Sequence, residues 1–314
     1  MIRCFGLQNK KVIDVTLDNM DLIWVDLTNP SDEEIRIIST QFRINFDDMK
    51  DCIDLTERPR HNVDLLLKNQ LLLLHSSQNF EIDMTQAPTF PFGLFLTESC
   101  KIVTIHILNG VYNERLVSKI KSSDFETSWS VYLSLIQILL IRLDKIAISI
   151  SNKIQEFQGM MLKSSNVKDI QEPFNLNTFV ILYNTSMLGN LSAIKAFIVK
   201  NKAFLEQNII MLERIDDIQT DMSQVCEYTN IYRDLLANSL DAFASVLNNN
   251  ISDVMKIVGS ISLILMIPTL IASFYGMNVS IPGGNGEAAW SFILLVSFGL
   301  SLFCWFIFRK MRWL

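Results

Sequence analysis

The pattern of apolar and polar positions predicts strands and helices in alternation over the first part of the chain. The apolar runs LIWVDL, LLLLH, FGLFL and KIVTIH are short and rich in residues that favour strands. Pro30 and Ser31, followed by three acidic residues, predict the start of a helix. A second helix is expected around NFDDMKDCI. We therefore expect residues 1–125 to fold as an α/β domain.

After Trp129 the strand patterns disappear, and residues 126–256 are predicted to be helical. From Leu205 to Asn250, apolar residues recur at three- and four-residue steps, as on a helix with one buried seam. The seam continues through Val254 and Val258 into the first span without a breaker. At ~1.5 Å per residue, a helix from Leu205 to Met277 would be roughly 110 Å long. A helix of this length is expected to pack against copies of itself, so the pattern predicts an oligomer with a helical stalk.

Two long apolar runs near the end of the chain predict membrane spans. Residues 257–277 and 288–308 carry no charge, and each run matches the ~20 residues needed to cross the hydrocarbon core. The alternative is a pair of buried helices in a soluble core. The connection, residues 278–287, has no Lys or Arg, whereas residues 309–314 are rich in them. By the positive-inside rule, we expect both termini to be cytoplasmic and the protein to be integral to a plasma or bacterial inner membrane.

A stripe of small, polar or flexible residues follows one side of the first span. Two spans from one chain enclose no pore, but an oligomer arranged around the first span would. Small and hydroxyl residues are also common where membrane helices simply pack together, so both interpretations remain open. Pro268 would free one backbone carbonyl in this span. The stripe consists of Ser252, Met255, Val258, Ser262, Met266, Thr269 and Ser273, and ends at Asn278.

Composition narrows the classes of function. The formal charge of −6 and the pI of about 5.2 argue against general nucleic-acid binding. The five cysteines are scattered without a CxxC pair, which argues against a disulfide framework and against a thiolate zinc site. No GxxxxGK[ST] loop for nucleotide phosphates is present. The chain is therefore expected to be neither an ATP-driven pump nor an enzyme with a recognisable motif.

Several segments together resemble the CorA family of magnesium transporters. The resemblance covers essentially the whole chain and implies an α+β membrane protein that assembles as a funnel-shaped homopentamer. Each subunit would contribute a cytoplasmic α/β domain, a stalk helix that continues as the pore-lining span, and an outer span. The matching segments are IWVDLTNPSDEEIRIIS, DLTERPRHNV, FGLFLTESCKIVTIH, SLDAFASVLNNNISDVMKIV, the YGMN at the end of the first span, and the basic tail RKMRWL.

The resemblance implies an ion-binding turn at Gly276, Met277 and Asn278. Mg²⁺ sheds its water reluctantly and prefers oxygen ligands, so a ring of Asn278 carboxamides would accept hydrogen bonds from a hydrated ion. A plainer interpretation makes Gly276 a helix C-cap and Asn278 a turn residue. In the outer loop, Glu287 would attract cations or would be an ordinary solvated charge.

The same resemblance implies a gate along the first span. Met255 and Val258 match the family's hydrophobic constriction, where apolar rings close a pore by dewetting. Met266 would form a further narrow ring, and Thr269 would present an oxygen. Ser252 stands where the family has an asparagine, so a polar ring at the inner mouth would have altered chemistry.

Acidic residues are expected to regulate transport. Most carboxylates of the stalk are expected to be solvated, but Asp217 matches the family residue that bridges Mg²⁺ to an acidic residue of the neighbouring subunit. Glu81 or Asp83 would be that partner. Asp241 would form a ring that attracts cations nearer the pore. Bound Mg²⁺ would favour the closed pore by mass action.

The resulting hypothesis is a Mg²⁺ influx channel that the membrane potential drives and cytosolic Mg²⁺ inhibits. Mg²⁺ is both cargo and regulator, and no organic cofactor is expected. The first alternative is transport of Zn²⁺, as in the related ZntB branch, or of Co²⁺ or Ni²⁺. His61, His75 and His106 are dispersed and are expected to be structural or surface residues. A second alternative is a membrane-anchored sensor or enzyme that transports nothing, for which a stable monomer would argue.

Overall fold

The computed structural model describes residues 1–77, 82–107, 110–163, 171–277 and 287–314. These residues form two compact units, Met1–Asn238 and Ser239–Leu314. The strands are β1 (Ile2–Gln8), β2 (Lys11–Asp14), β3 (Leu22–Thr28), β4 (Arg60–Val63), β5 (Gln70–Ser76), β6 (Phe90–Leu96) and β7 (Ile102–His106). The helices are α1 (Asp32–Phe42), α2 (Phe46–Asp51), α3 (Gly110–Ser122), α4 (Ser128–Lys163), α5 (Gln171–Leu205), α6 (Ile209–Tyr275) and α7 (Glu287–Lys310).

The first unit is built on a seven-stranded sheet in the order β2-β1-β3-β7-β6-β5-β4. Only the central pair, β3 and β7, is parallel among the described strand pairs. The four strands predicted from apolar runs are confirmed as β3, β5, β6 and β7. Their near-continuous burial follows from their central position, because strands covered on both faces carry apolar residues without alternation.

Both predicted short helices are confirmed, and local capping explains where they begin. Ser31 and Glu34 form a capping box at the start of α1, where the Ser31 side chain accepts from the Glu34 N–H and the Glu34 carboxylate accepts from the Ser31 N–H. The Asn45 side chain caps α2 in a similar way by accepting from the Asp47 N–H. The apolar faces of these helices close one core of the sheet, which includes Ile35, Ile38, Met49, Leu71, Leu73, Val103 and Ile105.

Helices α4 and α5 pack against β5, so the first unit extends well beyond the predicted boundary at residue 125. The amide of Asn190 on α5 pairs with the backbone of His75, accepting from its N–H at 2.7 Å and donating to its C=O at 2.9 Å. The Tyr183 hydroxyl of α5 donates to the Leu143 carbonyl of α4 at 2.6 Å. These buried contacts fix the helices on the sheet, because a buried polar group is costly unless it has a partner.

A buried polar network fixes α3 at the parallel strand pair. Asp26 on β3 accepts hydrogen bonds from Thr104 at 2.6 Å, from the His106 Nε2 at 3.2 Å and from Asn113 on α3 at 2.7 Å. Burial opposes ionisation of this carboxyl group, but the charge and hydrogen bond of His106, with further hydrogen bonds, hold the pKa of Asp26 below its usual range. Asp26 therefore remains an acceptor that joins β3, β7 and α3.

Helix α6 begins at Ile209, four residues later than the start of the predicted seam at Leu205. The Asn208 side chain explains this start, because its Oδ1 accepts from the N–H groups of Ile210 at 3.0 Å and Met211 at 3.2 Å. Residues 206–208 form the turn between α5 and α6. From this cap, α6 continues without a break to Tyr275 and includes Pro268 in its last part. The absence of proline from residues 176–267 predicts this continuity up to Pro268.

Replacing Gly93 with alanine is expected to lower the free energy of unfolding by about 1–3 kcal/mol, because small-to-large changes in a packed core force it to shift. A Cβ at Gly93 would overlap the Cys52 sulfur and lie 2.9 Å from Cγ2 of Ile105. Denaturant unfolding of the detergent-solubilised protein measures the effect. Cys52→Ala should recover part of the loss, whereas the control Gly159→Ala, which meets nothing within 4 Å, should not destabilise. Equal stability of the two glycine variants would contradict this packing argument.

Candidate functional site

The end of α6 forms the turn in which an ion-binding site was predicted. The Gly276 N–H donates to the Ala272 carbonyl at 3.0 Å, and the Met277 N–H donates to the Phe274 carbonyl at 3.4 Å. A Cβ on Gly276 would lie 3.3 Å from that Ala272 oxygen, so glycine allows the chain to close tightly over the last helical turn. Asn278 lies outside the described residues, so its role as an ion ligand stays a prediction.

The predicted pore stripe lies on one exposed side of α6. At about 100° per residue, Met255, Val258, Met266 and Thr269 fall within about 80° of one another around the helix. Met255 is 65% exposed and Met266 is 60% exposed in the single chain. Ser252 is also exposed, but it lies about 80° from the centre of this stripe. Exposed residues on one side of a membrane helix are available for other copies of the chain or for an aqueous pathway.

The opposite side of α6 contacts α7. Ser260 is completely buried, and Ile264 and Ile271 are partly buried. This face lies about 180° around the helix from the centre of the stripe. On α7, the facing residues include Ser297, which is buried, and Ser301, whose hydroxyl donates to the Ile264 carbonyl at 3.3 Å. Packing against the second span therefore does not account for the stripe, although pore lining itself stays a prediction.

The two apolar helices are largely uncovered within the single chain. Both α6 and α7 are long and apolar enough to cross a membrane, and only 6% of the most apolar window of each is buried. The alternative of two core helices in a soluble protein requires them to be covered, so this exposure contradicts it. Basic residues close the last turn of α7 at Arg309 and Lys310.

The two remaining residues predicted for cation attraction, Asp241 and Glu287, lie on different helices of the second unit. Asp241 is exposed on α6, and its backbone carbonyl accepts from the Ser245 hydroxyl at 3.0 Å. Glu287 is the first residue of α7, and its side chain lies outside the described part of the structure. A carboxylate that the sequence analysis did not single out, Asp253, pairs with Lys256 at 2.8 Å. That pair follows from its i, i+3 helical spacing.

Asp217 belongs to a group of like charges in the first unit. It is exposed on α6. Partial burial, and then the negative charges of Asp217 and Asp144, raise the pKa of Asp221 above its usual range. Asp144 comes from α4, so only the fold reveals its place in this group. Such mutual repulsion is relieved by a bound cation, although no cluster of three or more His, Cys, Asp or Glu poised for a metal occurs within the described ranges.

Of the two acidic residues predicted as partners of Asp217, the structure describes Asp83. Glu81 lies outside the described residues. Asp83 is partly exposed, and its Oδ1 accepts from the Thr85 hydroxyl at 2.5 Å and from the Thr85 N–H at 2.9 Å. These hydrogen bonds lower the pKa of Asp83, so it carries its negative charge throughout the neutral range. The bridge between subunits stays a prediction.

The histidines have structural partners, as the sequence analysis expected. His75 Nε2 donates to the Glu57 carbonyl at 2.8 Å, so its Nδ1 is an acceptor, with the hydroxyl oxygens of Thr89 and Ser186 at 3.1 and 3.0 Å. Burial lowers the pKa of His75 and keeps the ring neutral. His61 lies beside Gln70, with 3.2 Å between His61 Nε2 and Gln70 Oε1. Together with His106, these residues join elements of the fold.

Comparison with known proteins places the chain in context. The family described as CorA-like Mg²⁺ transporter protein matches residues 19–310. The cobalt/magnesium transport protein CorA of Methanocaldococcus jannaschii is 23% identical over 311 residues, which cover 97% of this chain and 95% of that protein. The magnesium transport protein CorA of Wolinella succinogenes is 22% identical and covers 94% of this chain and 92% of its own length.

A solved structure has the same fold over the whole chain. The complete structure of the CorA magnesium transporter from M. jannaschii superposes with a TM-score of 0.82 at 19% identity. It covers 100% of this chain and 99% of its own. The α/β unit, the long α6 with its apolar end and the apolar α7 therefore occur together in that fold, in the same order.

Proposed function

The chain belongs to the family of CorA-like Mg²⁺ transporter proteins, and from this premise we propose that it conducts Mg²⁺ into the cell through a pathway lined by α6. The observation that carries the proposal is the two-sided character of α6. One side packs on α7, and the opposite side presents Met255, Val258, Met266 and Thr269. A second span that covers one side leaves the other for the conduction pathway.

Several copies of the chain are needed to enclose that pathway, and we propose a homopentamer. The exposed apolar surface of α6 and α7 supports assembly within the membrane, in contact with lipid on the outside. Both termini face the cytoplasm in this arrangement, because the basic end of α7 remains on the cytoplasmic side. A divalent ion entering a negative interior gains about 4.6 kcal/mol per 100 mV, twice the single-charge value, so no nucleotide is required.

Selection occurs at the outer end of α6. Gly276 and Met277 close the helix tightly, and Asn278 follows as the next residue. Five carboxamide groups around the axis would accept hydrogen bonds from the water shell of Mg²⁺ and would not have to remove it. Farther inward, the apolar rings of Met255 and Val258 close the pathway when it dewets.

Regulation resides in the first unit, where Mg²⁺ would be held at Asp217 with an acidic residue of a neighbouring subunit. The negative charges of Asp217 and Asp144 support this assignment, because they add to burial in raising the pKa of Asp221. Bound metal stabilises the assembly that contains the site and so favours the closed pathway.

Replacing Asn278 with alanine should abolish selective Mg²⁺ entry while the oligomer remains intact. Dye-reported ion entry into liposomes measures this for Mg²⁺, Co²⁺ and Zn²⁺, with and without a negative-inside potential. The matched control is Asn152→Ala, which makes the same truncation on an exposed position of α4. We expect potential-enhanced Mg²⁺ entry in the wild type and the control, and a loss of at least about tenfold in Asn278→Ala, equivalent to ~1.4 kcal/mol.

Other outcomes would redirect the proposal. Normal Mg²⁺ entry in Asn278→Ala would remove the selectivity turn. Faster Zn²⁺ or Co²⁺ entry than Mg²⁺ entry would assign another cation as cargo. An absence of flux from a correctly assembled wild type, or a stable monomer in place of an oligomer, would favour a membrane-anchored sensor or enzyme.

A further inference from the structure

The proline in α6 interrupts the hydrogen-bond pattern of that helix at one identifiable carbonyl. In an α-helix the N–H of each residue donates to the carbonyl four residues earlier. Pro268 has no N–H, so the Ile264 carbonyl loses its donor within α6. In a hydrocarbon environment an unsatisfied carbonyl is strongly unfavourable, because no water is present to supply the missing donor.

A hydroxyl from α7 replaces the missing donor. Ser301 Oγ donates to the Ile264 carbonyl at 3.3 Å. Ser260, one turn earlier on α6, cannot serve, because its own hydroxyl donates to the Lys256 carbonyl at 2.7 Å. Among the described residues, the Ser301 hydroxyl is the donor that compensates for Pro268. The contact thus joins the two spans at the point where α6 lacks its own support.

A second hydroxyl covers the neighbouring carbonyl. Thr269 Oγ1 donates to the Leu265 carbonyl at 3.1 Å. The carbonyls of Ile264 and Leu265, four and three residues before the proline, therefore accept hydroxyl hydrogen bonds from different helices. The donor to Ile264 lies on α7, and the donor to Leu265 lies on α6 itself. Thr269 and Met266 lie on the stripe side, whereas Ile264 faces α7. A bend of α6 at Pro268 would therefore have two coupled effects. It would move the stripe residues Met266 and Thr269, and it would change the distance between the Ser301 hydroxyl and the Ile264 carbonyl.

We propose that Ser301 is a positioning residue for the ion pathway, which holds α6 against bending at Pro268 by capping the Ile264 carbonyl. This role rests on the proposed function of α6 as the lining helix. Without the hydroxyl, the carbonyl is satisfied only if α6 bends or admits water, as happens at other proline kinks. Ser301 therefore favours the helix arrangement described above over bent arrangements that shift Met266 and Thr269.

Removing this hydroxyl should allow α6 to bend at Pro268 and so change conduction. In Ser301→Ala we expect the rate of Mg²⁺ influx into liposomes to differ from that of the wild type by about threefold or more, the effect of losing one hydrogen bond. Ser301→Thr retains a hydroxyl and should restore the wild-type rate. If Ser301 acted only through packing, the added methyl group of threonine would disturb influx as well.

A double substitution separates the proposed role from general packing. Pro268→Ala restores an N–H that can bond the Ile264 carbonyl, so Ser301→Ala should have little further effect in that background. The unfolding temperature of the detergent-solubilised oligomer should show the same coupling, with a loss in the proline background only. This second measurement does not depend on transport.

The outcomes distinguish this inference from the proposed function. If Ser301→Ala has no effect, or the same effect with and without Pro268, then Ser301 does not act through the freed carbonyl. If the wild type conducts no ion but the unfolding temperatures show the coupling, the contact is established while the pathway is not.

Discussion

A single Met266→Cys substitution should make Mg²⁺ entry sensitive to inhibition by a positively charged, water-soluble thiol reagent. Met266 is 60% exposed on the side of α6 opposite α7. If α6 lines a conduction pathway, a thiol at this position faces water and reacts. Each modified subunit then adds a fixed positive charge where Mg²⁺ must pass, and repulsion in a low-dielectric pathway is strong. Influx should fall at least about tenfold, which corresponds to ~1.4 kcal/mol.

The control uses a residue of matching character on the other span. Leu295 on α7 is 73% exposed and apolar, so Leu295→Cys tests modification of a surface that would face lipid. Both variants are made in a chain whose five native cysteines are replaced by alanine. We expect inhibition at Met266→Cys and none at Leu295→Cys. Inhibition at Leu295→Cys with none at Met266→Cys would place the pathway along α7 and overturn the assignment of α6.

The central strands could be predicted from sequence because each is a nearly continuous run of apolar residues. Strands β3, β5, β6 and β7 have apolar runs that the fold covers on both faces. The interior strand β1 and the edge strands β2 and β4 were not predicted. KVID and RHNV are short and mixed in polarity, because an edge strand has one neighbour and partial exposure. Their pairing depends on a partner strand that local pattern does not identify.

The helical half was predicted in outline but not in its packing. The continuity of α6 up to Pro268 follows from the lack of proline in residues 176–267, whereas its start at Ile209 depends on the Asn208 cap. The attachment of α5 to the sheet through Asn190 joins residues more than a hundred positions apart. Sequence periodicity carries no information on such a contact. For the same reason, the Asp144 charge beside Asp221 was found only in the fold.

For the two apolar helices as well, the sequence predicts a local feature but does not identify its partner in the fold. Pro268 predicts a freed carbonyl, because proline lacks the donor. The sequence does not identify the compensating group, since several hydroxyl residues occur in both spans. The structure selects Ser301 through the register of α7 on α6. The stripe could be predicted from spacing, but its position opposite α7 required the packed pair.

Replacing Asp217 with lysine should remove inhibition by internal Mg²⁺. Burial, and then the negative charges of Asp217 and Asp144, raise the pKa of Asp221 in this part of the first unit. A Mg²⁺ ion bound at Asp217 would reduce the repulsion among these carboxylates. A lysine at position 217 supplies a permanent positive charge and takes away a carboxylate ligand. Liposome influx should then continue at internal Mg²⁺ concentrations that stop the wild type.

Protease protection gives a measure of the same site that does not depend on flux. Mg²⁺ that clamps the first unit should slow its cleavage in the wild-type oligomer, and this protection should be lost in Asp217→Lys. The matched control is Glu227→Lys, which makes the same change of charge at an exposed position of α6. It should retain both protection and inhibition. If Asp217→Lys is protected and inhibited as the wild type is, Asp217 is not the regulatory ligand. If both variants lose Mg²⁺ sensitivity, the effect arises from net charge along α6 and not from a metal held at one carboxylate.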